Sequence, residues 1–127
     1  MLEIFKTVED SLTTCDTITE GSWISISQPT IQELERVSKK TGIEIDDLKA
    51  PLDDEERSRI EVEDDYVMIL VDIPSLDEKE RYVTIPLGIF MTKVTNPPII
   101  SIPNIRITKS LIVVRVCTNM FFISSTL

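Results

Sequence analysis

The stretch YVMILVDIP, residues 66–74, constrains the fold more than any other part of the chain. It is an almost continuous apolar run rich in β-branched residues, which is typical of a central strand buried on both faces. Residues 57–63 alternate between polar and apolar side chains, which predicts an outer strand with Ile60 and Val62 facing the core. The other side chains of that strand are expected to face solvent: Arg59, Glu61 and Glu63.

Further strands are predicted on both sides of this pair. Residues 2–18 have the pattern of two short strands joined by the turn VEDS, and SWISIS, residues 22–27, that of a half-buried strand. Residues 82–91, YVTIPLGIFM, form a third long run. Because Pro86 cannot donate a backbone hydrogen bond and Gly88 has no side chain to pack, this run is expected to contain a bulge or to lie at a sheet edge.

A helix is predicted over residues 30–41. Thr30 and Glu33 have the spacing of a capping box, in which each side chain accepts a hydrogen bond from a backbone N–H of the first turn. Gly42 supplies the left-handed residue that ends such a helix. Its apolar stripe is expected to face the core and consists of Ile31, Leu34 and Val37.

The remaining elements complete the predicted fold. Residues 46–49 have room for little more than one helical turn before Pro51 ends it, and another strand is expected near residues 98–102. This order predicts an α/β fold with α+β character, in which helices flank a mixed, largely antiparallel sheet. We expect a single domain over residues 1–127, a length that is sufficient for a hydrophobic core.

Charge and composition exclude several classes of function. A net charge of −9 disfavours nucleic acids and anionic membranes as partners. The chain has no histidine and only two cysteines, which argues against zinc sites and histidine-based catalysis. With three glycines it has no glycine-rich phosphate loop, so we do not predict an enzyme. No apolar run approaches the ~20 residues of a membrane span, so a soluble, intracellular chain is expected.

The negative charge is concentrated in residues 42–65, which hold eleven acidic and three basic residues. A catalytic pair of carboxylates needs at least one desolvated member, whereas these acids are expected in loops and on the outer side of a strand. A solvated face that keeps the domain soluble is one interpretation, and pairing with Arg57 and Arg59 is another. Weak binding of a hard divalent cation, which takes oxygen ligands, is a third.

The succession of elements resembles the N-terminal cytoplasmic domain of CorA-type magnesium and cobalt transport proteins. A Trp-Ile strand leads to a proline-initiated amphipathic helix, a glycine-containing turn and a short acidic segment. An arginine-rich stretch ending in Glu and a Tyr-led apolar strand follow. The resemblance covers about residues 20–95. The matching positions are Trp23, Ile24, Leu34, Gly42, Leu48, Arg57, Glu61, Tyr66 and Val67.

This resemblance implies the regulatory domain of a homopentameric channel in the cell membrane, lying on the cytoplasmic side and sensing intracellular Mg²⁺. The family's membrane helices and its Gly-Met-Asn signature are not in this sequence, so the chain itself is expected not to conduct ions and to meet the membrane only through those missing helices. Self-association is the partner interaction that the resemblance implies.

The resemblance also implies a regulatory cation between subunits, held partly by an aspartate after the glycine-containing turn. The matching register places Ala50 there, with Lys49 at the acid before it. The nearest carboxylates, Asp46, Asp47 and Asp53, are therefore the candidate metal ligands, with Mg²⁺ or another divalent cation as the weakly bound regulator.

The C-terminal part departs from the family pattern. Residues 96–127 contain no acidic residue and are interpreted as a divergent, β-rich end of the domain, or as the product of a shifted reading frame near residues 92–104. Two rival functions stay open at this point. One is a free-standing acidic module that binds a basic protein, and the other is a small-molecule-binding enzyme domain.

Overall fold

The computed structural model describes residues 1–92 completely and residues 111–115 by their backbone. Its two α-helices are α1 (Ile31–Thr41) and α2 (Ile45–Lys49), and a 3₁₀ turn, Ala50–Leu52, follows α2. The strands are β1 (Leu2–Val8), β2 (Ser11–Thr14), β3 (Ser22–Ser27), β4 (Arg59–Val62), β5 (Tyr66–Leu76), β6 (Tyr82–Thr92) and β7 (Leu111–Arg115). The strand expected near residues 98–102 lies outside the described residues.

The strands form one seven-stranded sheet in the order β2-β1-β3-β7-β6-β5-β4. Strand β7 runs parallel to β6 and antiparallel to β3, and the other neighbouring pairs are antiparallel. The predicted mixed, largely antiparallel sheet with helices is therefore confirmed. Strand β4 is an outer strand as expected, and β5 is an interior strand, but the middle position belongs to β7.

Strand β7 joins two antiparallel halves of the sheet. Its five residues pair with β3 on one side and with β6 on the other, so that Val113 lies opposite both Ser25 and Ile89. In the described part of the chain, no other strand links the β2-β1-β3 half to the β6-β5-β4 half. Within the described residues, the continuity of the sheet therefore depends on β7.

Helix α1 confirms the local prediction almost residue for residue. The Thr30 hydroxyl accepts a hydrogen bond from the Glu33 N–H at 3.2 Å, and the Glu33 carboxylate accepts one from the Thr30 N–H at 2.9 Å. This backbone hydrogen bond lowers the pKa of Glu33 below its ordinary value. Gly42 closes the helix in the left-handed conformation, with φ 77°.

The core lies between the helices and one face of the sheet. The first half of β5 presents every second residue, namely Tyr66, Met68 and Leu70, to the core, because side chains along a strand alternate between its faces. The same alternation buries two isoleucines of β3. The central cluster consists of Ile24, Ile26, Leu34, Val37, Ile43, Leu48, Tyr66, Met68, Leu70 and Phe90.

The predicted orientation of β4 is wrong. Ile60 and Val62 are 68% and 60% exposed, whereas Arg59 and Glu61 are half-buried. The pairing register explains the inversion, because Arg59 lies opposite Leu70, whose side chain belongs to the core face. The alternation of β4 was predicted correctly, but its register with β5 sets which face points inward.

Strand β6 also differs from the prediction at Gly88. The ladder with β5 continues unbroken from Tyr82 to Thr92, and Gly88 has a strand on both sides, so it marks neither a bulge nor an edge. Instead, the backbone at Gly88 lies against the ring of Pro51 from the 3₁₀ turn. Pro86 lies opposite Asp72 of β5 in the same unbroken ladder, one residue before the first described pair between β6 and β7.

Candidate functional site

The 3₁₀ turn anchors the acidic segment, defined here as residues 44–56, to the sheet. Leu48 and Pro51 are fully buried within it. A Cβ atom built on Gly88 would lie 2.2 Å from the Pro51 Cγ atom, which shows how closely the turn approaches β6. Two apolar contacts therefore fix the backbone that carries the predicted metal ligands, while most of the charged side chains of the segment are exposed.

Asp47 is held by a buried tyrosine. The Tyr66 ring is 4% exposed, and its hydroxyl donates a hydrogen bond to the Asp47 carboxylate and accepts one from the Glu44 N–H at 3.3 Å. Burial, followed by the hydrogen bond to Asp47, raises the pKa of Tyr66 above its ordinary value. Because one lobe of the Asp47 carboxylate already serves the fold, Asp47 is the least available of the three predicted ligands.

Asp46 and Asp53 have freer carboxylates. The Asp46 side chain is 92% exposed and lies 3.5 Å from the Lys49 ammonium. Asp53 accepts a hydrogen bond from the Glu55 N–H at 2.9 Å. Both carboxylates retain oxygen atoms that face solvent, so both can supply a ligand to a cation.

The three aspartates do not form a closed metal site within one chain. Among the residues that the structure describes, no three carboxylate or thiol side chains come close enough to hold a metal ion together. The metal assignment of Asp46, Asp47 and Asp53 stays a prediction. A cation held by them would need further ligands from water or from a second chain.

Pairing with arginine is confirmed for part of the cluster. The Arg59 guanidinium lies between Glu56 and Glu61 and forms an ion pair with each. These two hydrogen-bonded carboxylates raise the pKa of Arg59. The arrangement satisfies the half-buried charge that the register of β4 places on the helix side of the sheet.

A groove between the start of α1 and the acidic segment was not predicted from the sequence. Ile31, assigned to the core by the helical period, is 55% exposed, because the chain beside the first turn of α1 leaves it uncovered. It lines an open groove of about 620 Å³. The lining residues are Pro29, Ile31, Leu34, Lys49, Leu52, Asp53, Asp54 and Glu55. A sequence signal existed, since Ile31 directly follows the capping residue and lies at the end of the stripe.

Replacing Tyr66 with phenylalanine is expected to destabilise the fold by about 2 kcal/mol at neutral pH. The change removes the hydrogen bond to Asp47 and leaves the Glu44 N–H without its phenolic acceptor. Because folding raises the pKa of Tyr66, its contribution is complete below about pH 10 and is lost as the pH rises further. Urea unfolding curves at neutral and alkaline pH measure both effects.

The matched control is Tyr82→Phe, since the Tyr82 ring is 87% exposed. It is expected to leave the free energy of unfolding nearly unchanged at neutral pH. Equal destabilisation by the two changes would show that the Tyr66 hydroxyl does not stabilise the acidic segment.

The chain is similar to known proteins both in sequence and in fold. The chain is 36% identical over 69 residues to the cobalt/magnesium transport protein CorA of Methanocaldococcus jannaschii, which is 54% of this chain and 21% of that protein. No family model matches the sequence. The chain thus spans about a fifth of the length of this curated relative.

Two solved structures have the same fold. The soluble domain of CorA from M. jannaschii superposes with a TM-score of 0.60 over 92% of this chain and 41% of that one, at 25% identity. The complete CorA magnesium transporter of the same organism gives a TM-score of 0.61 over 94% of this chain and 33% of that one, at 24% identity. No helix within residues 1–92 is long and apolar enough to cross a membrane. The resemblance is therefore confirmed, and the chain is similar in sequence and in fold to the N-terminal soluble domain of CorA-type magnesium and cobalt transport proteins.

Proposed function

We propose that this chain is the cytoplasmic regulatory domain of a divalent cation transporter and that it responds to Mg²⁺ or Co²⁺ without itself conducting ions. The supporting observation is the agreement of two similarities, 36% identity over 69 residues and a common fold over 92% of the chain. The transport activity and its cations are those named for the relative, and they come to this chain by that similarity.

The exposed carboxylates suggest how the response arises. Asp46 and Asp53 belong to a domain with a net charge of −9, so like-charged copies repel one another when they meet through the acidic segment. A divalent cation bound between two such faces offsets this repulsion and favours the associated state. Loss of the cation frees the copies to move apart, and in a complete transporter that movement would reach the pore.

We expect millimolar Mg²⁺ to promote self-association of the chain and to raise its thermal unfolding temperature by a few degrees. Sedimentation velocity and thermal unfolding monitored by circular dichroism, with and without Mg²⁺, measure the two responses. The double variant Asp46→Asn/Asp53→Asn is expected to lose most of both. Asp47 is left in place because its bond to Tyr66 would confuse loss of binding with loss of folding.

The matched control is Glu9→Gln/Asp10→Asn, which removes the same charge from the turn between β1 and β2 at the opposite edge of the sheet from β4. It should retain the Mg²⁺ response. A parent chain that shows no response, or a response equally reduced in both double variants, would contradict cation sensing through the acidic segment.

A further inference from the structure

The groove beside α1 leaves apolar side chains exposed to solvent. Ile31 continues the stripe of Leu34 and Val37, yet it is 55% exposed while these two are 1% and 0% exposed. Across the groove, Leu52 is 37% exposed, and Pro29 lines the same space. Four of the eight lining residues are therefore apolar, and the groove is open to solvent with a volume of about 620 Å³.

The rim of the groove is acidic. Asp53, Asp54 and Glu55 follow one another along it, and among the described residues none of their carboxylates forms an ion pair. The single lysine of the lining, Lys49, is already paired with Asp46. An occupant therefore meets apolar side chains beside uncompensated negative charge.

This combination selects a particular partner chemistry. An apolar anchor in a groove provides most of the affinity of a docked segment, and complementary charge around it provides specificity and a faster association. Amphipathic helices bind grooves in this way, with apolar residues on one face and charged residues beside them. Lysine or arginine next to the anchor would complement this acidic rim.

We propose that the groove docks a basic, amphipathic segment of a partner protein. An apolar side chain of that segment lies between Ile31 and Leu52, and its lysine or arginine residues pair with Asp54 and Glu55. The inference goes beyond cation sensing. It shares Asp53 with the proposed cation site but can be tested separately, because Ile31 carries no charge and Asp46 lies outside the groove lining.

The test uses a fluorescein-labelled peptide of about twelve residues, with leucines and lysines at helical spacing, titrated with the chain and monitored by fluorescence anisotropy. We expect saturable binding. Ile31→Ser and Asp54→Asn/Glu55→Gln are each expected to weaken it by about tenfold or more. A control peptide with serine in place of each leucine should also lose affinity. It should bind the unaltered chain as weakly as the leucine peptide binds the two groove variants.

Two control variants separate the groove from the surface in general. Ile60→Ser removes another exposed isoleucine, 68% exposed on β4, and Glu9→Gln/Asp10→Asn matches the charge change of the rim variant. Both should bind the peptide as the parent does. Equal weakening by the controls, absence of saturable binding, or full binding of the serine peptide would overturn the proposal.

Two further measurements distinguish this proposal from the proposed function. Asp46→Asn should reduce the Mg²⁺ response and weaken peptide binding much less than Asp54→Asn/Glu55→Gln does, because Asp46 lies outside the lining and affects it only through its ion pair with Lys49. Ile31→Ser should weaken peptide binding and leave the Mg²⁺ response unchanged. If Mg²⁺ displaces the peptide while Ile31→Ser leaves peptide binding intact, the rim binds cations, the apolar walls bind nothing, and the docking proposal is wrong.

Discussion

Replacing Val113 with proline is expected to destabilise the fold by about 3 kcal/mol and to broaden its unfolding transition. Strand β7 is paired on both sides, so the Val113 N–H donates a hydrogen bond within the sheet whether it points to β3 or to β6. Proline removes that donor, leaves a carbonyl of β3 or β6 without its partner and crowds the neighbouring strand. Because β7 links the two halves of the sheet, the substitution should make the two halves unfold less cooperatively. Urea unfolding followed by fluorescence and circular dichroism measures both the free energy and the coincidence of the two transitions.

The control for this change is Leu12→Pro in the outer strand β2. The Cys15 N–H donates to the Ile4 carbonyl at 2.9 Å, and because alternate residues of a strand point to opposite sides, the Leu12 N–H points away from β1. Proline is tolerated at such an edge position. If Val113→Pro unfolds no more easily than Leu12→Pro, residues 111–115 do not hold the sheet together.

Features governed by short-range chemistry could be predicted from the sequence. Helix α1 was placed to within one residue because its signals are local: Thr30 and Glu33 cap its start and Gly42 ends it. The edge position of β4 and the interior position of β5 followed from the difference between an alternating and a continuous apolar pattern.

Features that depend on distant contacts could not be predicted in the same way. The alternation of polar and apolar residues in β4 allows either set of side chains to face the core. Only the register with β5 shows that Arg59 faces inward. The bond between Asp47 and Tyr66 spans nineteen residues of sequence, and the exposure of Ile31 depends on where the chain after α2 lies. The acidic segment could thus be located from the sequence. Which of its carboxylates are free to bind a cation could be seen only in the structure.

Replacing Gly88 with alanine is expected to destabilise the fold by about 3 kcal/mol. The new Cβ atom would lie 2.2 Å from the Cγ and 3.0 Å from the Cβ of Pro51, and 3.1 Å from the Phe90 ring. Phe90 is fully buried and Pro51 is fixed in the 3₁₀ turn, so neither can move away without opening the core. The turn should shift away from β6 and carry the acidic segment with it. Urea unfolding gives the free energy.

A double-mutant cycle with Pro51→Ala identifies the clash as the cause. Pro51→Ala removes the Cγ atom of the closest contact, so the double variant should be more stable than the sum of the single changes predicts, by about 1 kcal/mol or more. Gly42→Ala is the matched control, because Gly42 has a positive φ but no atom within 4 Å of the added Cβ, and its cost of about 1 kcal/mol should be unaffected by Pro51→Ala. If Pro51→Ala rescued Gly88→Ala no better than Gly42→Ala, the turn that carries the acidic segment would not be anchored at Gly88. The acidic segment and the groove beside it would then owe their position to Leu48 and Tyr66 instead.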